Sequence, residues 1–494
     1  MQPEEGFLLA VDIGSTTTRC ILFDLKGMSV GEAYRELRLH HPRINWTEVE
    51  PEDWWQATAA VIREALERSG VPSEKILGIG LCGLQHALVP IDRHGRPLSR
   101  SMLWMDQRCQ PQAEWLFREH RALVEEALGD ALAFTTTPSA PKLRWIVENE
   151  PDLVRQTYKF LLVKDFVRFR LTGTVATDPY DAAGTYLFNR RAGKWSHQML
   201  ELIGVSPDKM PPIGESTAVA GGVTAEAARV TGLAPGTPVV IGSGDVRCTC
   251  TGANVLDRER SCLYLGTAAW VSVPYPAASD RTIGSTATTG ASLKWLVELL
   301  GTADLGPASE DSSFGNFYAA LLKEAEDVSP GSRGLIFLPH LMGERGPRHV
   351  PQAKGVLFGL TLAHRRGEIV RAVLEGCAFQ LRRILEQWGS NELGEIVVVG
   401  GGAKSPLWLD IIADVTGVTL LVPRVLQAGA LGAAIMAGTG VGVYNSLQEA
   451  AERLVQVAGC HKPDAAQHEF YGRVYDLFLA LEDRVAPLYE RVPK

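Results

Sequence analysis

Leu8-Leu9-Ala10-Val11-Asp12-Ile13-Gly14-Ser15-Thr16-Thr17-Thr18-Arg19 decides how the rest of this chain is read. An apolar strand delivers a carboxylate and then a glycine turn crowded with hydroxyls. Cys20-Ile21-Leu22-Phe23-Asp24 follows as the return strand of a hairpin. A carboxylate at a strand end can hold a magnesium ion, glycine lets backbone N–H groups approach phosphate oxygens, and the hydroxyls add donors. Taken alone, the same aspartate could simply cap an ordinary turn. A weaker echo, Cys262-Leu263-Tyr264-Leu265-Gly266-Thr267-Ala268-Ala269-Trp270-Val271-Ser272-Val273, lies in the other half. Two such hairpins suggest a nucleotide held between two similar domains.

The chain has 494 residues, too many for one ordinary core, so two or three domains are expected. Hydrophobic content of 46% and charged content of 21% are those of a globular protein. A net charge of -8 gives no electrostatic case for a nucleic-acid partner. No apolar run approaches the roughly 20 residues of a membrane span. The acidic start Met1-Gln2-Pro3-Glu4-Glu5 lacks the basic region of a signal peptide. A cytoplasmic protein without a membrane partner is expected. The eight cysteines include no CxxC pair, and Cys248 with Cys250 makes a poor zinc site, so reduced and buried thiols are expected.

Residues 7–40 read as a three-stranded meander. A helix opens at Pro51, with Glu52 and Asp53 favouring its N-terminal dipole, and a buried strand covers 76–81. Helices are expected near 141–149, 160–171 and 223–232, and a strand over 238–241. The hairpin pattern restarts after that, which places a boundary near 250: domains 1–250 and 251–494. The second half carries a helix over 367–388, a strand 395–399, a helix 405–416, a strand 418–422 and a small-residue helix 428–438. Residues 303–314, acidic and rich in serine and glycine, read as a mobile loop.

Gly242-Ser243-Gly244-Asp245 offers a carboxylate placed after a strand by glycines, suited to a general base that takes a proton from an attacking hydroxyl, or to capping the next helix. Gly400-Gly401-Gly402-Ala403-Lys404-Ser405 joins a strand to a helix whose N-terminus attracts anions, or is a plain tight turn; it is not a Walker A loop. Gly290-Ala291-Ser292 is a similar junction. His86 follows a buried strand and could be catalytic or merely hydrogen-bonded. Trp104, Asp106 and Arg108 form a polar cluster that could clamp a polyol or make a structural ion pair. Trp54-Trp55 reads as core.

These segments, taken with Pro51-Glu52-Asp53-Trp54-Trp55, Leu103-Trp104-Met105-Asp106-Gln107-Arg108, Ala140-Pro141-Lys142-Leu143-Arg144-Trp145, Lys164-Asp165, Asp181-Ala182-Ala183-Gly184-Thr185 and Leu338-Pro339-His340-Leu341-Met342-Gly343-Glu344-Arg345, give a chain that resembles the FGGY family of carbohydrate kinases, and within it the xylulokinase branch. The resemblance implies an α/β fold with two actin-like ATPase (ribonuclease H-like) domains around a central cleft. The first domain would carry the sugar site and the base, and the second mainly the adenine nucleotide. It implies ATP and Mg2+ as cofactors and a small-molecule sugar or polyol as substrate, phosphorylated on a terminal hydroxyl. Dimers are common in the family, which makes a homodimer an expectation.

Carried over by position, Asp245 would be the catalytic base, and Asp12 with Asp245 would serve the metal. Ser15, Thr16, Thr17, Arg19, Gly266 and Thr267 would surround the phosphates, and Gly290, Lys294, Gly401, Gly402 and Ser405 would frame the adenosine. Gln85, His86, Trp104, Asp106, Thr137 and Asp245 would line the sugar pocket. Xylulokinases tend to read Gly-Gly-Gly-Asp-Asn at the catalytic aspartate; here Val246-Arg247 follows Asp245, and valine cannot make the amide's hydrogen bond. They also tend to have Gln-Met-His where this chain has Leu84-Gln85-His86. A changed set of hydroxyl partners changes the preferred polyol. Gluconate, ribulose or glycerol are therefore alternatives, Arg247 favouring an acid if it faces the substrate. A non-catalytic actin-like nucleotide-binding regulator is the alternative from another class.

Overall fold

The computed structural model describes residues 5–128, 135–257, 260–275, 279–301, 312–346, 348, 350–388 and 395–491. The chain forms two compact units. The first comprises Met1–Asn254, Tyr275–Asp280 and Gln427–Val455, and the second Val255–Pro274, Arg281–Leu426 and Gln456–Lys494.

In the first unit the opening meander is β1 (Phe7–Ile13), β2 (Thr17–Asp24) and β3 (Ser29–Glu36), followed by α1 (Pro51–Ser69) and β4 (Ile76–Gly83). Next come α2 (Ser139–Asn149), α3 (Val163–Thr172), α4 (Pro179–Gly184), β5 (Val219–Gly222), β6 (Pro238–Val240), β7 (Ser243–Gly244) and α5 (Asp245–Gly252). The sheet runs β5-β6-β4-β1-β2-β3, with β7 also paired to β4. The β1–β2 pair is antiparallel, whereas β4 lies parallel to β1 and to β7. Alternation along β1 sends Leu9, Val11 and Ile13 into a core shared with Trp54, Val61 and Ile62 of α1. Asp12 belongs to the alternate set.

The second unit holds β8 (Arg260–Leu265), β9 (Ala269–Tyr275), β10 (Ser279–Ser285), α6 (Gly290–Gly301), α7 (Ser312–Glu326), α8 (Arg366–Trp388), β11 (Glu395–Val399), α9 (Pro406–Thr416) and β12 (Leu420–Pro423). The chain then returns to the first unit as α10 (Ala428–Gly440), before β13 (Val457–His461) and α11 (Ala465–Val485). The second sheet has the order β10-β9-β8-β11-β12-β13. Its core is built on α8, which contributes Val370, Val373, Leu374, Phe379 and Leu381.

Three readings of the sequence differ from the structure. Residues 160–162, taken as the start of a helix, belong to the strand Lys159–Leu162, and the helix begins at Val163. Of the expected loop 303–314, residues 303–311 lie outside the described residues, and 312–314 open α7. The helix at 428–440, assigned to a domain 251–494, packs in the first unit against α5, β4 and β1. That packing requires glycine. A Cβ on Gly432 would lie 1.8 Å from the Cys248 carbonyl oxygen, and one on Gly80 1.9 Å from that of Ala433.

Candidate active site

In the first unit a register row crosses four strands: Arg19 on β2 opposite Asp12 on β1, Asp12 beside Cys82 on β4, and Cys82 beside Ser243 on β7. The β1–β2 turn is closed by Gly14 N–H donating to the Thr17 carbonyl at 2.8 Å, and Trp54 Nε1 donates to the Gly14 carbonyl at 3.2 Å. Thr16 and Thr17 are exposed at the tip, and Ser15 is half-buried. Trp104 Nε1 donates to Ser15 Oγ at 2.9 Å, so the tryptophan grips the hydroxyl turn.

Asp245 is the first residue of α5, with Gly244 as the N-cap. Its Oδ1 accepts from Val246 N–H at 2.9 Å, and it sits where a helix dipole favours a carboxylate. Burial, and then the charge of Asp12, push its pKa up to about 7. Asp12 is also raised by burial, against a lowering hydrogen bond from the Cys82 thiol and the charge of Arg19. Like charges brought together at strand ends out of bulk water give this pattern. Gly429 at the start of α10 closes the other side: a Cβ there would lie 3.3 Å from Asp12 Oδ2 and 3.3 Å from Cys82 Sγ. Sequence reasoning missed Gly429; its only signal was the small-residue run at 428–438.

Gln85 and His86 lie just beyond β4. A Cβ on Gly244 would come within 2.7 Å of Gln85 Nε2, so this amide lies against the residue preceding Asp245. Gln85 Nε2 also reaches the Tyr180 carbonyl at 3.5 Å. His86 adopts φ +73°, a left-handed conformation rare outside glycine. It is fixed from both ends. Nδ1 donates to the Gly184 carbonyl at 2.9 Å, and its own carbonyl accepts from Ser139 Oγ and Lys142 Nζ at 3.2 and 3.1 Å. A carbonyl only accepts, so Nδ1 carries the proton and Nε2 is the acceptor of the neutral ring. Lys142 Nζ also donates to the Thr137 carbonyl at 2.7 Å, tying Thr137 to the same corner. Arg247 stacks over Tyr180, 4.4 Å from the ring centroid.

Asp106 is fully buried. Its Oδ1 accepts from Arg108 N–H and Nε, both at 2.9 Å, and Oδ2 from Thr47 N–H and Arg108 Nη2, both at 2.7 Å. Arg108 pairs further with Glu48 and stacks on Trp46. Of the two readings of this cluster, the geometry is that of a saturated ion pair.

In the second unit the β8–β9 turn is Gly266-Thr267-Ala268. The N-terminus of α6 docks on it, Gly290 N–H donating to the Gly266 carbonyl at 2.9 Å and Ala291 N–H to that of Thr267 at 3.0 Å. Gly400, at φ +93°, turns the chain out of β11 so that Gly402 lies against Leu265 at the end of β8. A Cβ on Gly401 would meet nothing within 4 Å. Ser405 Oγ caps α9 by accepting from Trp408 N–H at 3.3 Å. The structure therefore brings Gly266, Thr267, Gly290 and Gly402 together. Lys294, one turn into α6, is exposed and 3.8 Å from Glu298.

The N-terminal domain of the FGGY family of carbohydrate kinases matches residues 7–252, and the C-terminal domain of that family matches 281–441. The chain is an FGGY carbohydrate kinase. It is 32% identical to a xylulose kinase of Escherichia coli strain K12, covering 97% of this chain and 99% of that one. Identity is 31% to a xylulose kinase of Bacillus subtilis strain 168, over 96% of each chain. The fold is also that of a ligand-bound xylulose kinase from Lactobacillus acidophilus, with a TM-score of 0.87, 23% identity and coverage of 99% and 100%. The expectations of an α/β actin-like fold and of an ATP-dependent sugar kinase are met. No described helix is long and apolar enough to cross a membrane.

Proposed function

We propose that this kinase transfers the γ-phosphate of ATP to a terminal hydroxyl of a ketose or polyol of xylulose size, with Asp245 as the base. The observation that carries this is Asp245 buried near Asp12 across the end of β4, where burial first and then the charge of Asp12 lift Asp245 to about 7, near the pH at which a base works best. Asp245 would accept the hydroxyl proton as the oxygen attacks phosphorus, and Gln85 and His86 Nε2 would hold neighbouring hydroxyls. Asp106 we assign to holding the Trp104 loop rather than to the sugar. Ser15, Thr16, Thr17 and Arg19 would meet phosphate oxygens. In the second unit, Thr267 would do the same, and the Gly290, Lys294 and Gly400–Ser405 segments would meet adenosine.

The Asp12–Asp245 donor set is all hard carboxylate oxygen in a site where neither charge is neutralised by the other, which fits Mg2+. Mg2+ bound there would neutralise charge on the β- and γ-phosphates. The cysteines are all free, in keeping with a cytoplasmic enzyme.

Arg247, held on Tyr180 beside Gln85, favours a second reading in which the substrate carries a carboxylate, as an aldonate does. ADP release measured against ketoses, polyols and aldonic acids separates the two. Stimulation by xylulose or a similar ketose supports the first, selective stimulation by aldonates the second. No stimulation by any compound overturns both.

A further inference from the structure

Beneath the site lies a cluster of five charged side chains with no exposure: Lys164, Asp165 and Arg168 of α3, Asp178 and Asp181. Lys164 Nζ touches Asp165 Oδ1 at 2.7 Å, Asp178 Oδ1 at 3.0 Å and Asp181 Oδ2 at 3.2 Å. Burying one ammonium among three carboxylates is expensive, and the arrangement survives only where every charge is answered. Arg168 answers Asp165 at 2.7 Å. Burial, followed by the charges of Asp178 and Asp165, drives the Asp181 carboxyl above the usual carboxylate range, against the lowering charge of Lys164.

The cluster reaches both sides of the proposed site. Asp178 Oδ2 accepts from Ser243 Oγ at 2.6 Å, two residues before Asp245. Arg168 Nη1 donates to the Ile241 carbonyl at 3.0 Å, on the same segment. Asp178 also caps α4, its Oδ2 accepting from Tyr180 N–H at 3.1 Å. The carbonyls of α4 in turn hold Gln85 through Tyr180 and His86 through Gly184.

We infer that Lys164, acting through Asp178, is a positioning residue that fixes the distance between the Ile241–Asp245 segment and the Gln85–His86 wall. This rests on the reading of Asp245 as base and of Gln85 and His86 as sugar contacts. A misplacement of a few tenths of an ångström between these groups would be felt in the chemical step rather than in ATP binding.

The test compares Ser243→Ala, Asp178→Asn and a control, Ser216→Ala. Ser216 Oγ also donates to Asp178 Oδ2, at 3.2 Å, but from outside the Ile241–Asp245 segment. Expected for Ser243→Ala and Asp178→Asn is a kcat about tenfold or more below wild type, a raised sugar KM and an unchanged ATP KM. Ser216→Ala should melt at a similarly lowered temperature yet keep kcat within about twofold. Amide hydrogen exchange of the apo protein reads the same coupling without substrate. Asp178→Asn should speed exchange of 84–87 and 243–247 together by about tenfold, with β1–β3 unchanged. If the variants lose only thermal stability, or if those two segments keep wild-type exchange, the inference is overturned. A wild-type enzyme that no sugar stimulates would instead overturn the function proposed above, with the exchange result still deciding this one.

Discussion

Asparagine at position 245 should make the protein inactive and more stable at once. In the fold the Asp245 carboxyl sits at about 7 against an ordinary 3.8, a shift of about three units. At 1.36 kcal/mol per unit, ionising it in place costs up to about 4 kcal/mol. The side chain keeps some exposure, and about half of that survives solvent screening, or about 2 kcal/mol. Because the folded pKa is raised, the native state binds the proton more tightly than the unfolded chain. Stability therefore falls as pH rises from about 4 to about 7, and the whole penalty is present above that. Asparagine removes the charge. Thermal melts of the apo variant should lie about 2–3 °C above wild type at pH 8, and a little over a third of that at pH 5. Sugar-stimulated ADP release should fall by about 10²–10⁴-fold with ATP still bound. Equal melting temperatures at pH 8, or a gain that does not change with pH, would refute the buried like-charge pair. Turnover within tenfold of wild type would remove Asp245 from the mechanism.

Asp12→Asn removes the charge that, after burial, raises Asp245, so the acidic limb of the kcat/KM profile should move part of the way to lower pH while the Mg2+ needed for half-activity rises about tenfold; a pH profile and a Mg2+ titration check both. Trp104→Phe deletes the hydrogen bond to Ser15 Oγ, a loss of about 1 kcal/mol, and should raise the ATP KM several-fold with little change in sugar KM. Gly432→Ala drives a methyl into the Cys248 carbonyl and should cost about 3 kcal/mol, seen as a lower urea midpoint.

The hairpin at Asp12 was legible because everything that makes it is local: an apolar run, a glycine, a run of hydroxyls and a second apolar run. Asp245 was legible as a carboxylate behind glycines, but its place near Asp12 rests on β7 pairing with β4 beside Cys82, a contact across 161 positions (Cys82 to Ser243). Asp106 and Arg108 show the opposite limit. Two residues apart, they suit a ligand clamp or an ion pair equally, and only the Thr47 N–H arriving from 59 positions away completes the buried pair. Phe160-Leu161-Leu162 runs into α3 without a breaker, so hydrophobicity alone did not show where strand became helix. Lys164 and Ser243 stood in the sequence only as members of motifs, and Asp178 carried no signal, because charge balance inside a protein is a property of the assembled cluster.

The return of α10 to the first unit has a consequence for how the molecule is made. The face of β4 and α5 that receives Gly432 stays open until residue 440 has left the ribosome, long after Asp12, Cys82 and Asp245 have been synthesised. The N-terminal unit therefore cannot finish folding in order of synthesis, as independent domains do. A nascent chain halted near residue 260 would hold Asp12 and Asp245 on an unfinished platform. Supplying the 427–455 segment as a separate peptide is the complement that such a fragment would need.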